Sequence, residues 1–157
     1  MTVVLVTGMS GTGKSASLAE LARRGHRVVD TDYGGYADER DGEQLWREDR
    51  VAALLDAHHG GTLFVGGCVA NQGRFYPRFD AIVLLTAPAE VVLERVAGRD
   101  SNPFGKRDEE RERILADLAE VEPLLRAGAT DEIDTRAPLA DVVDELERVA
   151  SRRARTR

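Results

Sequence analysis

Lysine is almost missing from this chain of 157 residues: Lys14 and Lys106 stand against twenty arginines. Cysteine occurs once, at Cys68, which excludes an internal disulfide and fits a reducing cytoplasm. Net positive charge is also lacking. A formal charge of −6 and a pI near 5.1 argue against nucleic acid or an anionic membrane as the main partner. No charged-then-apolar segment opens the chain and no apolar run approaches eighteen residues, so neither a secretory leader nor a membrane-spanning helix is expected. His58 and His59 have no Cys or carboxylate at metal-ligand spacing and read as a helix end. The basic stretch from Ser151 to Arg157 reads as a solvated helix terminus. Repeats and linkers are absent, so a single domain is expected, as a monomer or homodimer.

What is present centres on one of the two lysines. Lys14 closes the run Gly8-Met9-Ser10-Gly11-Thr12-Gly13-Lys14-Ser15, a full match to the Walker A phosphate-binding pattern G-x-x-x-x-G-K-[ST]. A chain that writes nearly every cation as Arg keeps Lys where a compact ammonium must reach between two phosphates. The β-branched stretch Val3 to Thr7 precedes the run, and a helical pattern from Lys14 follows it. Glycines at 8, 11 and 13 let successive N–H groups point into one concavity, and the helix adds its N-terminal N–H groups and dipole. Gly8, Gly11, Thr12, Gly13, Lys14, Ser15 and Ala16 are therefore expected to bind ATP, with the Ser15 hydroxyl on Mg²⁺.

Along the chain, strand patterns alternate with helical ones, the signature of a parallel sheet covered on both faces. Strands are expected over Val3 to Thr7, Arg27 to Asp30, Thr62 to Val65, Ala81 to Leu85 and Glu132 to Asp134. Helices are expected over Lys14 to Arg23, Glu43 to Ala57, Ala89 to Ala97, Asp108 to Ala127 and Leu139 to Arg153. The polar, Gly-rich stretches 33–42 and 98–107 read as mobile segments over the site.

Ligands of such sheets sit beyond the carboxyl ends of the strands. The second strand ends in Asp30-Thr31-Asp32, and in extended chain both carboxylates share a face. Asp30 could hold the Mg²⁺ hydration shell while Asp32 takes the proton of an attacking hydroxyl; an Asx turn is the structural alternative. The third strand ends in Gly66-Gly67-Cys68 with no Asp, which throws the metal role back to Asp30. Gly66 and Gly67 could bring backbone N–H groups to a ligand or form a tight turn, and Asn71, Gln72 and Arg74 could contact an acceptor or form a polar surface loop.

These residues, in this order, resemble the shikimate kinases. That family carries a P-loop, D-x-D after strand 2, G-E-x-x-F-R-x-x-E, and a glycine turn after strand 3. Here Gly42-Glu43-Gln44-Leu45-Trp46-Arg47-Glu48-Asp49-Arg50 follows the third motif, with Trp for Phe and Arg50 for the last Glu. Asp134-Thr135-Arg136-Ala137-Pro138 is similar to the D-T-x-x-P segment beside adenine, and Arg95 falls where an adenine-stacking arginine lies. The resemblance implies the α/β, three-layer P-loop kinase fold, with a five-stranded parallel sheet flanked by helices in one domain, 1–157. It further implies a substrate-binding segment at 33–60 and a lid at 98–112. By the same resemblance, Lys14 and Asp32 are catalytic, Arg95, Arg136 and Pro138 border ATP, Ser15 and Asp30 serve Mg²⁺, and Asp32, Arg47, Gly66 and Gly67 meet the acceptor; Arg74 could join them, in the manner of the polar residues that nucleotide kinases place near a base.

The departures fall on the acceptor side. The third glycine is Cys68, the lid reads Asn102-Pro103-Phe104-Gly105 without its arginine, and Val121 or Glu122 stands where a second substrate arginine precedes P-L-Y. Arg99, Lys106 or Arg107 could supply the missing lid charge. The expectation is an ATP-dependent kinase, a transferase acting on a hydroxyl or phosphate of a small, anionic acceptor other than shikimate. A nucleoside or nucleotide kinase and an antibiotic phosphotransferase stay open, as does a nucleotide-binding regulatory module with little transfer activity.

Overall fold

A computed structural model of the chain describes residues 1–98 and 108–155. Its elements run β1 (Thr2–Thr7), α1 (Lys14–Arg23), β2 (Arg27–Asp30), β3 (Ala37–Arg40), β4 (Glu43–Trp46), α2 (Glu48–Ala57), β5 (Thr62–Gly66), a 3₁₀ segment (Gln72–Arg78), β6 (Ala81–Thr86), α3 (Ala89–Ala97), α4 (Asp108–Gly128), β7 (Asp131–Asp134) and α5 (Leu139–Arg155). Five strands form a parallel sheet in the order β2-β5-β1-β6-β7. The chain steps outward from β1 to β2, returns to fill the gap with β5, then crosses to β6 on the other side of β1. The reversal places a crevice at the carboxyl end of β1, where Thr7 leads into the glycine run.

The two-residue period of β1 separates two layers of core. Val4 and Val6 join Leu18 and Leu21 of α1, Phe64, and Val142, Val143, Leu146 and Val149 of α5. Val3 and Leu5 face the opposite way, toward Trp46, Val51 and Leu55, and toward Phe75 and Phe79 of the 3₁₀ segment. Every residue of β1 and β6 is buried, as central parallel strands require. A third cluster, Val92, Val96 and Ile114, joins α3 to α4. Each fully buried Leu or Val contributes about 1.5–3 kcal/mol.

At its edge the α1–α5 layer is tied by charge: Arg24 donates to Asp144 at 2.7 Å and Glu147 at 2.6 Å, and His26 Nε2 meets Glu147 Oε2 at 2.6 Å. The hydrogen bond with His26 is the chief reason the Glu147 carboxyl sits below its ordinary value, and Arg24 adds to it. Among the described residues no helix is long and apolar enough to cross a membrane.

The expected five strands and the helices near 14, 89, 108 and 139 are present, with ends shifted by two residues or fewer. The expected helix over Glu43 to Ala57 is corrected. Its first turn is instead β4, paired antiparallel with β3 (Ala37 opposite Trp46, Arg40 opposite Glu43), and the helix begins at Glu48. The same hairpin takes in residues 37–40 of the polar stretch 33–42, as β3. Its cause is the dipeptide Asp41-Gly42, with φ of 51° and 79°, a turn whose two positive φ values match the twist of a hairpin. The polar stretch after β5 is a 3₁₀ segment anchored by Gln72, whose buried amide donates to Thr7 Oγ1 and Tyr76 Oη. Gln72 is thus a structural residue.

Candidate active site

The glycine run is pinned from below and behind. Gly13 is the N-cap of α1 at φ 95°, with no side-chain cap, so the first N–H groups of the helix are left facing the crevice. A Cβ on Gly11 would lie 2.9 Å from both Val92 and Val96, so the loop rests directly on α3. Thr12 is fully buried beneath the loop and donates from Oγ1 to the Met9 carbonyl at 2.7 Å. Gly8, Gly11, Gly13, Lys14, Ser15, Ala16, Asp32 and Arg95, each singled out in the sequence, line one cavity of about 420 Å³ together with Met9, Ser10 and Cys68.

Arg95 enters from α3. Its Nη1 donates to Thr135 Oγ1 at 2.8 Å and to the Gly11 carbonyl at 3.3 Å, and Nη2 donates to the Thr135 carbonyl at 2.7 Å. Arg136 and Pro138 are not among the residues lining the cavity. Arg136 is tied to Asp134 at 2.7 Å; that guanidinium holds the Asp134 carboxyl below its ordinary value. Pro138 starts α5, its carbonyl accepting from the N–H groups of Asp141 and Val142.

Asp32 does not continue a strand. β2 ends at Asp30, whose Oδ1 accepts the Asp32 N–H at 3.0 Å, and the Tyr33 N–H donates to the Asp30 carbonyl. The turn, rather than a shared face of extended chain, sets the two carboxylates, and it is Asp32 that lines the cavity with Lys14 and Ser15. Behind the turn, Trp46 Nε1 donates to Thr31 Oγ1 at 2.9 Å, and Thr31 Oγ1 donates to the Gly66 carbonyl at 2.6 Å. The hairpin is thereby joined to the residue preceding Asp32.

Gly66 and Gly67 line neither cavity. The Gly67 N–H donates to the Val6 carbonyl at 3.2 Å. A Cβ there would fall 2.5 Å from Thr31 Oγ1 and 3.0 Å from Trp46 Cζ2, and one on Gly66 would strike Leu18. Both glycines are small because the hairpin and α1 pack against them.

Arg47 and Arg74 come together in a second cavity of about 560 Å³, bordered also by Arg40, Trp46, Asp38 and Glu48. Arg47 is the N-cap of α2, with Nε 3.7 Å from Asp38; Arg74 is 3.0 Å from Glu48. Asn71 is occupied: Oδ1 accepts the Trp46 N–H at 2.7 Å and Nδ2 donates to the Trp46 carbonyl and Glu48. The lid candidates Arg99, Lys106 and Arg107 lie outside the described residues. Sequence reasoning missed the buried hydroxyls of Thr31 and Thr135; the signal was a Thr directly following a strand-end Asp in both places.

Residues 4–116 match a family model described as an AAA domain. A putative adenylate kinase of Archaeoglobus fulgidus is 32% identical, over 99% of this chain and 86% of its own length. A shikimate kinase of Geobacter sulfurreducens is 35% identical, over 91% of this chain and 87% of its own. The structure of the Acinetobacter baumannii shikimate kinase in complex with shikimate superposes with a TM-score of 0.67 at 22% identity, covering 95% of this chain and 92% of that one; at that identity the likeness speaks for the fold.

Proposed function

This chain belongs to the AAA domain family of P-loop proteins, and from that premise we propose that it transfers the γ-phosphate of ATP to a hydroxyl or phosphate of a small acceptor other than shikimate. It is an ATP-dependent phosphotransferase of the shikimate-kinase-like kind, and in this reading the P-loop cavity is its ATP site. The observation that carries the acceptor chemistry is the presence of Asp32 in the same cavity as Lys14 and Ser15. ATP binding alone needs no carboxylate at the transferring phosphate. A kinase acting on a hydroxyl uses one to take the acceptor proton.

In this reading Lys14 neutralises the β- and γ-phosphates, Asp32 accepts the proton, and the face of Arg95 lies against adenine. Mg²⁺ fits the donor set. Ser15 lines the cavity with a hydroxyl to offer, and Asp30 has a carboxylate oxygen, Oδ2, without a partner among the described residues. When bound, the ion would neutralise charge building on the phosphate oxygens.

Arg47 and Arg74 would anchor an anionic group of the acceptor, each exchanging its carboxylate partner for the ligand. Segment 33–60 then supplies the acceptor wall; most of the expected lid, 98–112, lies outside the described residues. A nucleotide acceptor is the second reading, favoured by the Archaeoglobus relative named a putative adenylate kinase.

A screen of ATP consumption over polyols, sugars, nucleosides and nucleotides tests the proposal. We expect at least one acceptor to stimulate turnover, shikimate to have no effect, and Asp32→Asn to lower the stimulated rate by about 10²–10⁴-fold while ATP binding is kept. Unchanged stimulated turnover in that variant removes Asp32 from the role of base.

A further inference from the structure

We propose that Thr135 is a positioning residue for nucleotide binding: its buried hydroxyl fixes the P-loop backbone and the Arg95 guanidinium through one shared atom. Thr135 follows β7 and is 6% exposed. Its Oγ1 donates to the Thr12 carbonyl at 2.7 Å, with the Thr86 carbonyl at 3.2 Å as the alternative acceptor, and accepts from Arg95 Nη1 at 2.8 Å. The Thr135 N–H donates to the Thr86 carbonyl at 2.8 Å, which locks this residue to the end of β6. Its main-chain carbonyl takes the second Arg95 donor.

Three parts of the chain far apart in sequence meet here: the P-loop, the end of α3, and the loop leading into α5. The loop carbonyls of Gly11 and Thr12 are both held by side chains, those of Arg95 and Thr135 respectively. A peptide whose carbonyl is held on one side presents its N–H groups on the other, as an anion nest requires. The same bonds lie in the plane of the guanidinium. With its edge occupied by Thr135 and Gly11, Arg95 is left with a flat face to offer a purine, held in one orientation before ligand arrives. A Cβ on Gly13 would sit 3.6 Å from both Arg95 Nη1 and Thr135 Oγ1, so the three groups form one packed unit beneath the phosphates.

Thr135→Val removes the hydroxyl and keeps the shape. It leaves the Thr12 carbonyl and the Arg95 donor without their partner in a buried place. The part of this inference concerning adenine rests on the reading of Arg95 in the proposed function; the part concerning the P-loop does not. The test is calorimetric binding of ATP and of inorganic tripolyphosphate to wild type, Thr135→Val, Thr135→Ser and Arg95→Lys. Thr135→Val and Arg95→Lys are each expected to weaken ATP by about tenfold or more, and Thr135→Ser to stay within threefold of wild type. In turnover, Thr135→Val raises the KM for ATP and leaves the KM for the acceptor unchanged.

ATP affinity within twofold of wild type in Thr135→Val overturns the proposal, and so does a Thr135→Ser variant as weak as Thr135→Val. Should Thr135→Val fail to fold, Arg95→Lys carries the test, since it loses the planar double contact to Thr135 without touching the sheet; full ATP affinity in that variant is equally fatal. Wild type that binds tripolyphosphate as tightly as ATP refutes adenine stacking while leaving the P-loop effect measurable. Binding without acceptor-stimulated turnover refutes the transferase reading and leaves this one standing.

Discussion

The two sides of the crevice are built by different means. On the nucleotide side, a loop of six residues joins β1 to α1, and its conformation is dictated by glycines, by a helix N-terminus and by contacts of Gly11 and Thr12 with α3 and Thr135. On the proposed acceptor side, a two-stranded hairpin outside the main sheet carries Trp46 and leads into Arg47, and it is held by side chains: Trp46 to Thr31, Asn71 to Trp46, Arg74 to Glu48. A backbone cradle suits a polyphosphate, which every kinase of this kind must bind. A wall of side chains can change by substitution while the cradle stays intact. Relatives named putative adenylate kinase and shikimate kinase both align with this chain over most of its length.

The largest expected effect tests the cradle. Lys14→Ala should lower kcat on the order of 10³-fold without altering thermal stability, since removing a single charge-stabilising donor from a transition state costs about that much. A smaller loss, with saturation by ATP unaffected, would place the phosphates elsewhere.

The wall is tested next. Gly67→Ala puts a methyl against Thr31 and Trp46, and overpacking of that kind costs about 1–3 kcal/mol, visible as a lowered Tm. It should raise the KM for the acceptor more than that for ATP. Equal damage to both would mean that the two sides are not independent. Trp46→Phe keeps an edge-on ring against Phe75 but removes the indole donor to Thr31, for a loss of about 1 kcal/mol in chemical denaturation. Because Trp46 is the single tryptophan and borders the second cavity, its fluorescence should respond to acceptor and be indifferent to ATP.

The smallest effect lies away from both sides, at the α1–α5 edge. The Glu147 carboxyl is held below its unfolded value of 4.5, chiefly by the bond with His26. Its contribution to stability is therefore present above about that pH and is lost as pH falls through the lower folded value. Glu147→Gln should flatten the acid limb of a Tm-versus-pH curve. An unchanged limb would assign acid sensitivity to other carboxylates.

Legibility in the sequence divides along the same line. The sheet and the cradle were readable because their signals are local: glycines and a lysine at fixed spacing, β-branched runs, and prolines before α3 and α5. The hairpin is hard to see because Glu43 to Ala57 has enough helix formers to continue α2 backward, and its one local signal is the turn dipeptide Asp41-Gly42. Pairing of Arg47 with Arg74, and the joining of Trp46 to Thr31, arise from contacts between distant parts of the chain that no spacing records. Gly66 and Gly67 stood beside the site in sequence, yet what fixes their size is Leu18, Thr31 and Trp46.

Acceptor binding should be open to weakening alone, with ATP binding kept. The direct measurement is steady-state kinetics of acceptor-stimulated ADP formation for wild type and Arg47→Ala. The prediction is a KM for the acceptor raised about tenfold, as expected for a lost charged hydrogen bond, with the KM for ATP within twofold. ADP formation that no acceptor stimulates, or an Arg47→Ala variant that weakens ATP and acceptor alike, would contradict it.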